Sequence, residues 1–181
     1  MPKAIFLDRD GTLIEDVHYL KDPNDIKLID GVELALRNMK NAGYLIFLHT
    51  NQSGISRGYY NLEDVNACNK RMMELYNMES NFWDGICIAP ESPDTHEQLY
   101  RKPSNKYQLE MIEKFDLQPS ECWMVGDKWI DVETGLNSNM KAALVQTGKE
   151  INLEIQKLAF VNKVPICKDL FSFSNSYLLQ S

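Results

Sequence analysis

The chain has 181 residues, 44% hydrophobic and 25% charged, with a formal charge of −7 and a pI near 5.0. That acidic balance argues against broad binding to nucleic acid or an anionic membrane, while leaving room for an anion held by a few local cations. No apolar run approaches the roughly 18 residues of a membrane span. Ala4–Leu7 is too short for a signal-peptide core, and the scattered Cys68, Cys87, Cys122 and Cys167 fit free thiols in a reducing cytoplasm.

Apolar runs alternate with helical patterns. Ala4–Leu7 reads as a buried strand, and Val32–Ala42 as a helix stopped by Gly43. Tyr44–Leu48 is a second strand. Leu62–Met78 is a longer helix with Leu62, Val65, Cys68, Met72, Leu75 and Tyr76 turned inward. Ile86–Ala89 is a third strand and Asn105–Phe115 a helix. Cys122–Val125 is a fourth strand, followed by a helix from about Asp131 and a fifth strand at Ala142–Val145. The Ser-rich stretch 172–181 reads as a loosely held tail of one domain spanning 1–181. Continuous apolar strands alternating with helices predict an α/β fold, a parallel sheet covered by helices on both faces.

In such sheets ligands sit beyond the carboxyl ends of the strands. The residues found there are acids, hydroxyls, amides and cations. Asp8-x-Asp10 puts two carboxylates at the end of the first strand, where each raises the other's pKa unless a cation intervenes. Gly11 permits the tight turn and Thr12 is expected to bond its backbone; alone, the pair also fits a solvated turn. Thr50, Asn51, Gln52, Ser53 and Gly54 form a hydroxyl- and amide-rich loop suited to an anion, with Arg57 in reach. Arg101 and Lys102 supply a fork and a point charge before Pro103, which leads into a helix capped by Ser104 or Asn105. Asp127 ends the fourth strand facing Asp8, and Mg²⁺ needs only a small set of such oxygen ligands. Asp131 fits either the site or a helix N-terminus, where an acid is favoured in any case.

Taken together, Asp8-Arg9-Asp10-Gly11-Thr12, Thr50, Lys102 and Asp127 with Asp131 resemble the four motifs of the haloacid dehalogenase superfamily. Thr50–Gly58, Arg101-Lys102-Pro103 and Val125–Lys128 narrow the likeness to the D-glycero-D-manno-heptose-1,7-bisphosphate and histidinol-phosphate phosphatases. The likeness runs from Ala4 to about Lys149. It implies a three-layer Rossmann-like sheet and a Mg²⁺-dependent phosphatase working through an aspartyl-phosphate. Asp8 is then the nucleophile and Asp10 the acid and base. Mg²⁺ is held by the Asp8 and Asp127 carboxylates and the Asp10 carbonyl. Thr50, Asn51, Gln52 and Ser53 bind the phosphoryl oxygens, and Lys102 offsets their charge. Arg101 contacts the sugar or a second phosphate, and Arg57 is a further substrate-binding residue.

The motif gaps leave no room for a large cap domain. The site is expected to be open and shaped by the Glu15–Pro23 and Ala89–Tyr100 loops. Many members of the branch carry a zinc loop, Cys-Pro-His-x-Pro and then Cys-x-Cys. Here the matching stretches are Ala89-Pro90-Glu91-Ser92-Pro93 and Gln98-Leu99-Tyr100, so no structural zinc is expected. Cys87 is then a buried strand residue and His96 a surface one. The expected partner is a small phosphorylated metabolite, not nucleic acid or membrane, and nothing demands more than a monomer. A nucleic-acid 3′-phosphatase shares a similar first motif but would call for a basic stripe. Two other classes compete: a phospho-accepting receiver domain, disfavoured because no aspartate directly follows the third strand, and a sugar-phosphate-binding module without turnover, which would have lost the nucleophile or Lys102.

Overall fold

In the computed structural model, which describes residues 2–95 and 98–179, six parallel strands form one sheet in the order β3-β2-β1-β4-β5-β6. They are β1 (Ala4–Leu7), β2 (Leu45–Asn51), β3 (Gly85–Ala89), β4 (Trp123–Gly126), β5 (Lys141–Val145) and β6 (Ile166–Cys167). The helices are α1 (Val32–Asn41), α2 (Leu62–Leu75), α3 (Lys106–Phe115), α4 (Trp129–Asn137), α5 (Leu153–Val161) and α6 (Leu170–Tyr177).

Side chains alternate across a strand, so each strand feeds two cores. Ile5, Leu7, Ile46, Leu48 and Val125 pack against α1, α2 and α6. On the other face Phe6, Phe47 and Met124 pack under α3, where Phe6 and Phe47 stack at 4.7 Å and Tyr107 meets both edge-on. Ala142 and Leu144 of β5 continue that face beneath α4 and α5. The result is the three-layer Rossmann-like arrangement, with β1 central between β2 and β4. The strand order reverses direction between β1 and β4, which opens a crevice at their carboxyl ends. Among the described residues no helix is long and apolar enough to cross a membrane.

Several boundaries differ from the sequence reading. β2 continues through His49, Thr50 and Asn51 because these polar residues pair with Cys87, Ile88 and Ala89 of β3. The hydroxyl-rich segment is therefore strand first and loop only from Gln52. Helix α2 stops at Leu75, and Asn77 takes the left-handed conformation at φ 52°. Leu62, expected inward, is 47% exposed on its first turn. Helix α4 begins at Trp129, so Asp131 is its third residue, accepting from the Lys128 N–H at 3.1 Å.

The largest difference lies after Lys149. Over residues 172–178 the expected loose tail gives way to α6, capped by Asp169, which accepts from the Ser172 N–H at 2.7 Å. Leu170 and Phe173 are fully buried against the first core and Leu178 nearly so. Gln180, Ser181 and His96 lie outside the described residues.

Candidate active site

The ends of β1 and β4 lie side by side, the Asp8 N–H bonding the Val125 carbonyl at 3.0 Å. This brings Asp8 and Asp127 to the same crevice, and the first turn of α4 adds Asp131. One carboxylate oxygen from each of the three lies within 4.8 Å of the others, all in buried side chains. Lys102 arrives from the segment before α3. Its Nζ donates to Asp8 Oδ1 at 2.6 Å and makes an ion pair with Asp131 Oδ1 at the same distance, without hydrogen-bond alignment in the second case. Asn51 fixes the Lys102 backbone, accepting its N–H at 2.9 Å and donating to its carbonyl at 3.2 Å.

Electrostatics follow from burial and these partners. Burial works against charge on Asp8, but Lys102 and Lys128 outweigh it and hold the carboxyl below its ordinary range. Burial likewise opposes charge on Lys102, and Asp131 and Asp8 overcome it, keeping the ammonium protonated. Asp127 has no such strong partner. Burial first, then repulsion from Asp8, pushes it up to about 7, with Lys128 pulling the other way. Burial and Asp8 repulsion also raise Asp131, against Lys102.

Room for these carboxylates comes from missing side chains. A Cβ on Gly11 or Gly148 would collide with the Asp127 carboxylate, and one on Gly126 with that of Asp131. Gly11 also sits at φ 86°, a conformation other residues rarely adopt.

Asp10 stands apart from this cluster. Arg9 holds both its oxygens at 3.1–3.2 Å, and Gln52 donates to it at 2.9 Å and to Thr50 Oγ1 at 2.7 Å. Thr12, expected to bond the turn, has a buried hydroxyl with no hydrogen-bond partner among the described residues. Thr147 supplies a turn contact instead, donating to the Gly11 carbonyl at 2.7 Å.

Above the cluster lies a cleft of about 230 Å³ bordered by Asp16, His18 and Tyr19 on one side and Gln52, Ser53 and Lys128 on the other. A smaller adjoining space of about 170 Å³ reaches Asp8, Asp10, Arg101 and Lys102. Arg57 spans the rim, donating to the Tyr19 hydroxyl at 3.0 Å and pairing with Asp94 at 3.5 Å. Arg101 donates to the Glu91 carbonyl at 3.1 Å; burial, opposed by Glu91 and assisted by the Arg57 cation, lowers its pKa. Among the described residues of the 89–100 segment, Glu91 accepts from the Tyr100 N–H at 2.9 Å and Gln98 donates to the Pro93 carbonyl at 2.7 Å. Cys87 is a buried β3 residue whose thiol burial pushes up to about 12.

Two positively charged residues escaped the sequence reading. Lys128 lies 3.5 Å from Asp127 and 3.6 Å from Asp16; its position directly after Asp127 was the available signal. Arg9 had the same adjacency to both acids of the first motif. His49, beneath the site, is fully buried. Burial and the Lys102 charge lower it to about 3, so it is neutral, donating from Nε2 to the Tyr100 carbonyl at 2.7 Å and accepting from Gln108 at 2.8 Å.

Comparisons with known proteins bear on the family and the fold. The HAD-hydrolase-like family model matches residues 99–171. A D-glycero-beta-D-manno-heptose-1,7-bisphosphate 7-phosphatase from Haemophilus influenzae is 37% identical over 165 residues, covering 88% of this chain and 90% of its own. A D-glycero-D-manno-heptose-1,7-bisphosphate 7-phosphatase from Chlorobaculum tepidum is 34% identical, covering 98% and 94%. The crystal structure of D,D-heptose 1,7-bisphosphate phosphatase from B. bronchiseptica, complexed with magnesium and phosphate, shares the fold. Its TM-score is 0.83 at 24% identity, with both chains covered in full.

Proposed function

We propose that this chain, which belongs to the family of these D-glycero-D-manno-heptose-1,7-bisphosphate 7-phosphatases within the HAD-like hydrolases, releases one phosphate from a small sugar bisphosphate, D-glycero-D-manno-heptose 1,7-bisphosphate. The observation that carries the reading is the meeting of Asp8, Lys102, Asp127 and Asp131 at the crevice between β1 and β4, with Asp10 beside them.

Asp8, kept ionised by Lys102, attacks phosphorus. The bond from phosphorus to the sugar oxygen breaks, and Asp10 gives that oxygen its proton. Water then attacks the aspartyl-phosphate and passes its proton to Asp10. The phosphorus–Asp8 bond breaks and inorganic phosphate leaves. Thr50, Asn51, Gln52 and Ser53 orient the phosphoryl oxygens, and Lys102 stabilises the charge that builds on them. Arg101, in the space adjoining Asp8 and Lys102, and Arg57, at the rim, receive the second phosphate.

The residues fit a divalent cation. Three buried carboxylates face two ammonium groups, and Asp127 Oδ1 has no hydrogen-bond partner among the described residues. Asp8 and Asp127, with the Asp10 carbonyl, are the groups to hold Mg²⁺, while Asp131 stays with Lys102. When bound, Mg²⁺ supplies Lewis-acid neutralisation of phosphoryl charge. We assign no zinc to the 89–100 loop, since Ala89, Glu91, Gln98 and Tyr100 stand where the zinc-loop pattern has its cysteines and histidine.

The deciding experiment measures Mg²⁺-dependent phosphate release from heptose 1,7-bisphosphate, histidinol phosphate, a nucleotide and a 3′-phosphorylated oligonucleotide, with metal analysis of the purified protein. Preference for the heptose bisphosphate and no stoichiometric zinc are expected. Preference for histidinol phosphate would reassign the substrate, and one zinc per chain would overturn the loop reading.

A further inference from the structure

Arg9 lies between the two acids of the first motif, yet its side chain turns away from the Asp8 cluster toward α2. It is 1% exposed, the largest of the fully buried side chains. A guanidinium cannot lose its proton in a protein, and a buried charge requires fixed partners on every side. Arg9 has two. Its Nε and one terminal nitrogen hold the Asp10 carboxylate, and its NH1 donates to Asn69 Oδ1 at 3.0 Å. Asn69 is 4% exposed, on the inner face of α2 and sixty residues away in sequence. A second support reaches Asp10 from the other side. Gln52 donates to it, and the Tyr60 hydroxyl fixes that amide by donating to Gln52 Oε1 at 2.7 Å.

Asp10 hangs from the turn after β1, where nothing else among the described side chains aims it. A misplacement of about 1 Å at a reacting group can cost on the order of 10²-fold in rate. We propose that Asn69 is a positioning residue: it anchors Arg9 from α2, and Arg9 in turn aims the Asp10 carboxyl group at the leaving oxygen. This rests on the reading of Asp10 as the proton donor.

The test uses two leaving groups. A sugar phosphate departs as an alkoxide and needs the proton. p-Nitrophenyl phosphate departs as a stable phenolate and does not. Because kcat/KM reports only steps through the first phosphoryl transfer, the second half-reaction does not enter. For Asn69→Leu, kcat/KM for the sugar phosphate should fall about 10- to 100-fold, while that for p-nitrophenyl phosphate stays within about threefold of wild type. Asn69→Asp, which keeps an acceptor oxygen for Arg9, should recover most of the loss. Equal losses on both substrates, or none on either, overturn the proposal. If the leucine variant does not fold, Asn69→Ala is read by the same criteria. Asp10→Asn is run alongside. If it shows no difference between leaving groups, the proton-donor reading itself fails. If it shows the difference and the folded Asn69 variant does not, only the role of Asn69 fails.

Discussion

The segments 8–10 and 127–131 each carry two aspartates and each leave a strand at the same crevice, but they deploy them differently. In the first, a spacing of two sends Asp8 to Lys102 and Asp10 to Arg9 and Gln52, so the pair separates into two environments. In the second, a spacing of four runs from a strand end to the third residue of a helix. It returns both Asp127 and Asp131 to one pocket, where they join Asp8. Sequence neighbours thus part, and residues more than a hundred positions away become the companions. The partners divide along the same line: three acids share one pocket with Lys102, and the fourth is held by Arg9 and Gln52.

Substitutions can break or sharpen this contrast. Asp8→Asn removes the one acid that bonds Lys102 from the first segment; phosphate release should fall by at least about 10⁴-fold, and turnover close to wild type would refute its role as nucleophile. The second segment separates its own two members. Asp127→Asn should raise the Mg²⁺ concentration for half-maximal activity at least about 10-fold. Asp131→Asn should instead lower kcat about 10-fold by loosening Lys102, with little change in the Mg²⁺ requirement. A Mg²⁺ titration giving the same shift for both would put Asp131 among the metal ligands.

The smallest effect on turnover concerns His49, which supports the crevice from below. Its folded pKa of about 3 lies below the ordinary 6.5. Above pH 6.5 neither state binds the proton and no penalty exists. As pH falls from 6.5 toward 3, the unfolded chain binds a proton that the native chain refuses, so stability drops by up to about 1.4 kcal/mol per pH unit from this group. Urea unfolding between pH 7 and 4.5 should show a shallower decline for His49→Gln than for the wild-type chain. Parallel declines would mean that His49 is not held neutral.

What the sequence disclosed, and what it hid, follow from the range of the forces involved. Local signals served well: apolar runs marked β1 to β5, and Gly43 ended α1. Asp8, Lys102 and Asp127 were legible because each follows a strand or precedes a helix. The continuation of β2 through Thr50 and Asn51 was hidden because pairing with β3, not side-chain polarity, decides it. Helix α6 was hidden by serines, although Asp169 as a cap and Leu170, Phe173 and Leu178 on one face carried the pattern. The burial of Arg9 on Asn69 joins the turn after β1 to α2, and no local pattern announces such a contact.

The glycines at 11, 126 and 148 have a consequence of their own. Each leaves a volume of about one methyl group, and in each case an acid oxygen from another part of the chain occupies it. Alanine there would neither add nor subtract charge, yet it would push Asp127 or Asp131 out of its place. The catalytic inventory of this molecule therefore includes three hydrogen atoms, valued for how little space they take.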